Sequence, residues 1–144
     1  MTRAHVFLFR GDLILVLEQA NGAWWELPGG TVEPGESADD AIARETLEET
    51  SIAIGHPVVI RRWSYLNRSG QTVDCVAYAA EGEHVDVRLS SEHSAFEWMT
   101  AEAYAEAHCS EARAAGGPEW AQAFLAEMRA NCAEFVRWKR MRGQ

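Results

Sequence analysis

The sequence has few cysteines, no excess of positive charge and no long apolar segment. Its three cysteines lie far apart and lack metal-binding spacing, which is typical of reduced thiols in a cytoplasmic protein. A formal net charge of −9 argues against nonspecific binding to a nucleic-acid backbone, because such binding requires a basic surface. No apolar run approaches the ~20 residues of a transmembrane helix, and the N-terminus lacks a signal-peptide pattern. We therefore expect a cytoplasmic protein that binds neither DNA nor a membrane.

The composition predicts one folded domain with a mixed sheet. The chain has 144 residues, of which 47% are hydrophobic, so a single domain spanning 1–144 can bury a substantial core. Runs of β-branched and aromatic residues separated by glycine and asparagine turns predict strands. The predicted strands cover 4–10, 13–19, 24–27, 57–66, 72–80, 85–89 and 95–99.

Three segments have the composition of helices and are bounded by capping or helix-breaking residues. Ser37 is the predicted N-cap of a helix that runs to about residue 51, and Thr100 is the predicted cap of another at about 101–114. A Gly-Gly-Pro sequence separates the latter from an amphipathic helix at about 119–141. We expect the apolar stripe of this last helix to pack against the sheet, and a homodimer surface is the alternative. The order of elements predicts an α/β/α sandwich with two C-terminal helices at about 100–142.

Glutamates crowd one face of the first predicted helix. Glu45, Glu48 and Glu49 are spaced i, i+3 and i+4, so they share a face. The small apolar residues of the first two turns lie on the same face, which predicts that it points inward, and the opposite face is expected to be wet. The wet face comprises Asp39, Asp40, Ala43, Leu47 and Thr50. Because carboxylates at this spacing repel each other, a solvated acidic face is one interpretation, and a site for Mg²⁺ or Mn²⁺ is the one we favour.

The segment before this helix is rich in glycine and proline, so its backbone can bend and approach a ligand closely. Together with the helix it resembles the signature of the Nudix hydrolases, Gly-x5-Glu-x7-Arg-Glu-hydrophobic-x-Glu-Glu-x-Gly-hydrophobic, over residues 30–52. The matching residues are Gly30, Glu36, Arg44, Glu45, Glu48, Glu49 and Ile52. Two positions depart from the signature: Thr46 replaces an aliphatic residue and Ser51 replaces the closing glycine. A left-handed turn at Ser51 would cost roughly 1 kcal/mol without glycine.

The resemblance, which covers roughly residues 4–100, implies the Nudix fold and hydrolysis of a diphosphate linked to another moiety. It implies metal ligands at Glu45, Glu48, Glu49 and the carbonyl of Gly29. Arg44 is then expected to orient Glu45 or Glu48, and Glu36 to tie the loop to the helix. The general base is either Glu45 or Glu92, since the Glu-His pair at 92–93 resembles a loop common in the family.

The substrate-binding residues are less constrained by sequence. Trp24 and Tyr65 are candidates for stacking a base, although buried core is the usual place of aromatic residues. Glu26 could accept hydrogen bonds from a base amino group, and Arg62 could contact phosphate. On a strand, Trp24 and Glu26 would face the ligand while Trp25 would face the core.

Nucleoside triphosphates, dinucleoside polyphosphates and nucleotide sugars are all compatible substrates. Two other functions are possible for such a chain. A sensor or regulator of the same fold would bind nucleotide without hydrolysing it, and it would typically lack box glutamates or carry a DNA-binding module. A prenyl diphosphate isomerase is a more remote alternative, because it uses a differently placed cysteine and glutamate.

Overall fold

The computed structural model describes residues 1–22, 24–82, 86–110, 113, 115 and 117–143. In these residues a seven-stranded sheet is flanked by helices on both faces. The strands are β1 (Thr2–Arg10), β2 (Leu13–Gln19), β3 (Trp25–Glu26), β4 (Gly29–Thr31), β5 (Val58–Leu66), β6 (Thr72–Glu81) and β7 (His93–Met99). The helices are α1 (Ala38–Thr50), α2 (Ala101–His108) and α3 (Glu119–Arg142).

Strand β1 organises the sheet. One edge of β1 pairs in parallel with β6, which pairs with β5. The other edge is divided, because its C-terminal end pairs with β2 and its N-terminal end pairs with β4, both antiparallel. Strand β2 also pairs with β3 and β7. The glycine segment, which the sequence indicated only as a bent loop, is therefore built into the sheet as β4.

The side chains of β1 alternate between two cores. Val6 and Leu8 lie in a cluster with Ile42 of α1. Phe7 belongs to the cluster on the opposite face, where its ring stacks on Phe135 of α3 with centroids 4.8 Å apart. Period-two alternation in the strand thus separates α1 from α2 and α3. The predicted α/β/α sandwich with a mixed sheet is confirmed.

Helix α1 begins and ends with serine caps. The Ser37 hydroxyl accepts a hydrogen bond from the Asp40 N–H at 3.1 Å, as its N-cap position predicts. Ser51 adopts the left-handed conformation, with φ of 64°, and its N–H donates to the Leu47 carbonyl. The helix therefore ends in the left-handed turn for which the family signature uses glycine.

The predicted strand at 85–89 is wrong for residues 86–89, and Val85 lies outside the described residues. The N–H of Arg88 donates to the Thr50 carbonyl, and the N–H of Ser90 donates to the Glu49 carbonyl. This segment satisfies carbonyl groups at the end of α1 instead of pairing in the sheet. The same segment covers Thr50, which is fully buried although it was expected on the solvent-exposed face of the helix.

The C-terminal helices differ from the prediction at one boundary. Helix α2 ends at His108, well before residue 114, and Cys109 turns into the core, where its carbonyl accepts a hydrogen bond from Arg129 of α3. Met128 of α3 is buried against the sheet, which confirms the core prediction for the apolar stripe. Within the described residues, no helix combines the length and the apolar character needed to cross a membrane.

Candidate active site

The glycine segment lies directly against β1 and the acidic helix. The Gly29 N–H donates to Glu49 Oε1 at 2.8 Å. A Cβ atom at Gly29 would lie 2.1 Å from the Ala4 carbonyl oxygen, and one at Gly30 would lie 2.6 Å from the Glu45 carboxyl group. Close approach of the β1 backbone therefore requires glycine at position 29, and a side chain at position 30 would displace the Glu45 carboxylate from the backbone of β4.

Arg44 holds three carboxylates, and we call Arg44, Glu36, Glu45 and Glu48 the Arg44 network. Its guanidinium donates to both oxygens of Glu36, at 2.8 and 3.0 Å. Nη1 of Arg44 also donates to Glu45 at 3.1 Å and to Glu48 at 3.3 Å. These hydrogen bonds from Arg44 are the main reason why the pKa of Glu36 is lowered. Glu36 also accepts from the Glu33 N–H, so it ties the loop to the helix.

The three helix glutamates differ sharply in exposure. The side chain of Glu48 is 58% exposed, that of Glu45 is 16% exposed and that of Glu49 is 6% exposed. The expectation that all three point inward is therefore wrong for Glu48. The Glu48 side chain turns towards solvent and accepts a hydrogen bond from Arg44, whereas Glu49 lies beneath β4.

A second group of ligating side chains surrounds Glu49. One ligand atom each from Glu49, Glu92 and His93 lies within 4.8 Å of the others, and we call these residues the Glu49 cluster. Burial raises the pKa of Glu49 to about 8, despite the hydrogen bond from Gly29, and neighbouring carboxylates add to the shift. Burial also raises the pKa of Glu45. Since a divalent cation would offset the cost of ionising these carboxylates, the residues present fit such an ion.

His93 was not among the predicted site residues. A register shift between β2 and β7 at Glu18 and Gln19 pairs Gln19 with His93, and such bulges re-aim side chains. His93 Nε2 lies 3.1 Å from Glu26 Oε1, and Nδ1 lies 3.8 Å from Glu49 Oε2. The Gln19 amide also donates to Glu26. The Glu-His pair was visible in the sequence, but the register shift that pairs His93 with Gln19 was not.

A cavity of about 260 Å³ lies on the α3 side of the sheet, and we call it the aromatic cavity. The predicted residues Trp24, Tyr65 and Glu26 line it, together with Trp25. The expected separation of Trp24 from Trp25 is therefore wrong, because β3 has only two residues and the alternation does not extend to Trp24. Glu26 also borders the recess that contains Glu92 and His93, so it joins the cavity to the Glu49 cluster.

Arg62 is separated from the other predicted substrate residues. It is exposed on β5 and alternates with Trp63 and Tyr65, which face the α3 side. Arg62 therefore points to the opposite face of the sheet from the aromatic cavity. A wider cleft of about 970 Å³ between α2 and α3 contains none of the predicted site residues.

Parts of the sequence resemble curated proteins. An uncharacterized Nudix hydrolase of Bacillus subtilis (strain 168), YvcI, is 36% identical over 62 residues, covering 43% of this chain and 39% of its own length. A mouse asymmetrical bis(5'-nucleosyl)-tetraphosphatase is 34% identical over 91 residues, covering 59% of this chain and 62% of the relative. The chain thus spans less than two thirds of the length of these curated relatives.

Solved structures extend the likeness to nearly the whole chain. An Ap4A hydrolase of C. elegans, solved as a binary complex, superposes with a TM-score of 0.71 at 23% identity, covering 95% of this chain and 96% of that one. A MutT protein from Methanosarcina mazei Go1 gives a TM-score of 0.67 at 22% identity, covering 91% and 94%. The family model of the NUDIX domain matches residues 1–120, beyond the segment that the motif alone covers. The chain belongs to the NUDIX family.

Proposed function

We propose that the chain hydrolyses a diphosphate linkage in a nucleoside diphosphate derivative or a nucleoside triphosphate, with Mg²⁺ as the cofactor and Mn²⁺ as a substitute. The observation that carries this proposal is the Glu49 cluster, in which the buried Glu49 and His93 meet Glu92 beside the glycine segment and near a cavity of aromatic rings. Phosphoryl transfer depends mainly on positioning and on electrostatic stabilisation, and this arrangement can supply both.

Glu45, Glu48, Glu49 and the carbonyl of Gly29 would hold the divalent ion. When bound, the ion supplies positive charge for the phosphate oxygens that gain negative charge in the transition state. Arg44 positions Glu45 and Glu48 through its hydrogen bonds to both carboxylates. Arg44 is thus a positioning residue, because its guanidinium is occupied by carboxylates of the chain.

Two carboxylates compete for the role of general base. Glu45 is half-buried, and its Oε1 already accepts a hydrogen bond from Arg44. Glu92 is exposed in the loop before β7 and contributes an oxygen to the Glu49 cluster. A base must lie within hydrogen-bond reach of the attacking water, and both side chains adjoin the same cluster.

The aromatic cavity is the proposed site of the base. Trp24 and Tyr65 supply stacking faces, and Glu26 supplies an acceptor for an amino group. A volume of about 260 Å³ suits one ring system and not a whole nucleotide, so the phosphates extend towards the Glu49 cluster, which Glu26 borders. Arg62 lies on the other face of the sheet, and its placement gives no support to a phosphate contact.

A dinucleoside tetraphosphate is the first substrate to test, because the mouse relative's name gives this class. Nucleoside triphosphates and nucleotide sugars complete the panel. Phosphate and nucleotide release would be measured with Mg²⁺ and then with Mn²⁺, and metal-dependent release from at least one substrate is expected. Tight binding of a nucleotide without any release would instead favour the non-hydrolytic sensor. A homodimer and a cytoplasmic location stay predictions.

A further inference from the structure

The His93 imidazole is buried, and only one of its two ring nitrogens has a hydrogen-bond partner in the described residues. Its side chain is 2% exposed, and Nε2 lies 3.1 Å from Glu26 Oε1. Nδ1 is sealed from solvent and has no hydrogen-bond partner in the described part of the chain. The nearest acidic oxygen, Glu49 Oε2, is 3.8 Å away, which is beyond hydrogen-bond distance. An unpaired buried polar atom of this kind costs about 1–3 kcal/mol, so a missing partner is expected.

The surroundings of His93 determine which nitrogen is free to bind. Glu26 is fixed as an acceptor, because both of its oxygens accept from the Gln19 amide. A carboxylate beside Nε2 favours the tautomer that carries its proton there. The lone pair of Nδ1 then points into the Glu49 cluster, where Glu49 and Glu92 each place an oxygen within 4.8 Å of the other ligand atoms.

An ion pair between His93 and Glu49 does not explain the geometry. A protonated Nδ1 and a carboxylate would close to about 2.8 Å in a charge-assisted hydrogen bond. The observed gap of 3.8 Å leaves both groups apart, although Glu49 Oε1 is already fixed by Gly29. A cation about 2.1 Å from each of two ligand atoms spans a separation of this size.

We propose that Nδ1 of His93 is a direct nitrogen ligand for a divalent transition-metal ion in the Glu49 cluster. Glu26, His93 and the ion would form a carboxylate–imidazole–metal arrangement, in which Glu26 orients the ring. Imidazole nitrogen favours Co²⁺, Ni²⁺ and Zn²⁺ over Mg²⁺, so this ligand would strengthen the binding of those ions more than the binding of Mg²⁺. This inference rests on the proposed function only for the catalytic role of the ion.

Metal binding can be measured on the full chain without any turnover. Pulsed electron paramagnetic resonance of bound Mn²⁺ detects a directly coordinated imidazole nitrogen. Protein labelled with ¹⁵N-histidine is expected to convert the ¹⁴N coupling to a ¹⁵N coupling, which requires no mutation. A bound Mn²⁺ signal without histidine nitrogen coupling overturns the proposal.

His93→Gln separates ligation from positioning, because a glutamine amide can donate to Glu26 but offers no ring nitrogen at the Nδ1 position. Calorimetry with this variant is expected to show Co²⁺ affinity reduced about tenfold or more, with Mg²⁺ affinity changed much less. The same substitution at the exposed His56 is the matched control and should leave both affinities unchanged. Equal losses for both ions, or no loss for either, contradict nitrogen ligation and assign His93 a structural role.

The outcomes distinguish this inference from the proposed function. Nitrogen coupling without hydrolysis of any tested nucleotide supports ligation and contradicts the enzyme proposal. Metal-dependent hydrolysis without nitrogen coupling supports the enzyme proposal and contradicts ligation by His93. Failure of the wild-type chain to bind any divalent ion contradicts both.

Discussion

The Arg44 network and the Glu49 cluster meet along helix α1 and differ in whether a side chain of the protein balances their negative charge. In the Arg44 network, one guanidinium contacts the carboxylates of Glu36, Glu45 and Glu48. Its hydrogen bonds lower the pKa of Glu36, whereas burial raises the pKa of Glu45. In the Glu49 cluster, the only cation-capable neighbour within 4.0 Å in the described residues is His93, and burial raises the pKa of Glu49.

Glu45 and Glu49 are one helical turn apart, so spacing alone does not determine these states. Arg44 donates hydrogen bonds to Glu45 and Glu48 and fixes their positions. The Glu49 carboxylate is covered by β4 and has no such partner. A bound cation can therefore supply its missing counter-charge. The contrast indicates that Arg44 pre-positions Glu45 and Glu48, whereas Glu49 depends on a bound ion for its counter-charge.

The strongest test of this contrast removes one negative charge from each group. Glu48→Gln and Glu49→Gln are each expected to abolish nearly all Mg²⁺-dependent hydrolysis, by about 100-fold or more, because both are proposed ligands. Steady-state rates would be compared with those of Glu106→Gln, an exposed control on α2. Wild-type turnover by either ligand variant would show that the assignment is wrong.

The choice of general base gives the next largest effect. Loss of a general base typically lowers the rate by about 10²–10⁴-fold and removes the corresponding limb of the pH–rate profile. We expect loss of this limb in only one of Glu92→Gln and Glu45→Gln, because Glu45→Gln also lowers the rate through its proposed role as a metal ligand. A profile of Glu92→Gln that matches the wild type eliminates Glu92 from the role.

Arg44→Lys tests whether the rim network positions the ligands. A lysine keeps the charge but cannot contact both oxygens of Glu36 while reaching Glu45 and Glu48. We expect kcat to fall by about 10–100-fold, with a weaker affinity for the divalent ion. A variant with unchanged metal affinity and unchanged kcat would remove the positioning role, and Arg137→Lys on α3 is the exposed control.

The raised pKa of Glu49 predicts that the free energy of unfolding of the metal-free protein depends on pH. The folded state retains a proton up to about pH 8, whereas the unfolded state releases it near its usual pKa of 4.5. Stability therefore decreases as pH rises between these values. Glu49→Gln lacks this penalty and should be about 1–3 kcal/mol more stable than the wild type at pH 8 in chelator, and much less so at pH 5. Thermal unfolding at both pH values checks this, and a difference that does not depend on pH is the contrary result.

The smallest expected effect concerns the end of α1, just beyond Glu49. Ser51 has φ of 64°, where glycine is favoured, but its hydroxyl donates to the Arg88 carbonyl at 3.1 Å. Ser51→Gly should therefore stabilise the fold by at most about 1 kcal/mol, since relief of strain outweighs an exposed hydrogen bond. Denaturant unfolding would detect the change, and destabilisation would show that the hydroxyl contact dominates.

The sequence predicted those features that depend on residues close together in the chain. The Ser37 cap, the shared face of the glutamates and most strands followed from spacing and turn residues. The departures arise from tertiary contacts. The 86–90 segment donates hydrogen bonds to the end of α1, Glu48 bends outward to Arg44, and the register shift at Gln19 pairs it with His93.

Anomalous diffraction from crystals soaked with Mn²⁺ and a non-hydrolysable nucleotide tests the central claim most directly. A buried carboxylate that lacks a cationic partner should hold the ion, so a peak is expected within about 2.5 Å of a Glu49 oxygen. Nucleotide bound without a peak near Glu49, with the helix carboxylates turned to bulk solvent, would contradict the account.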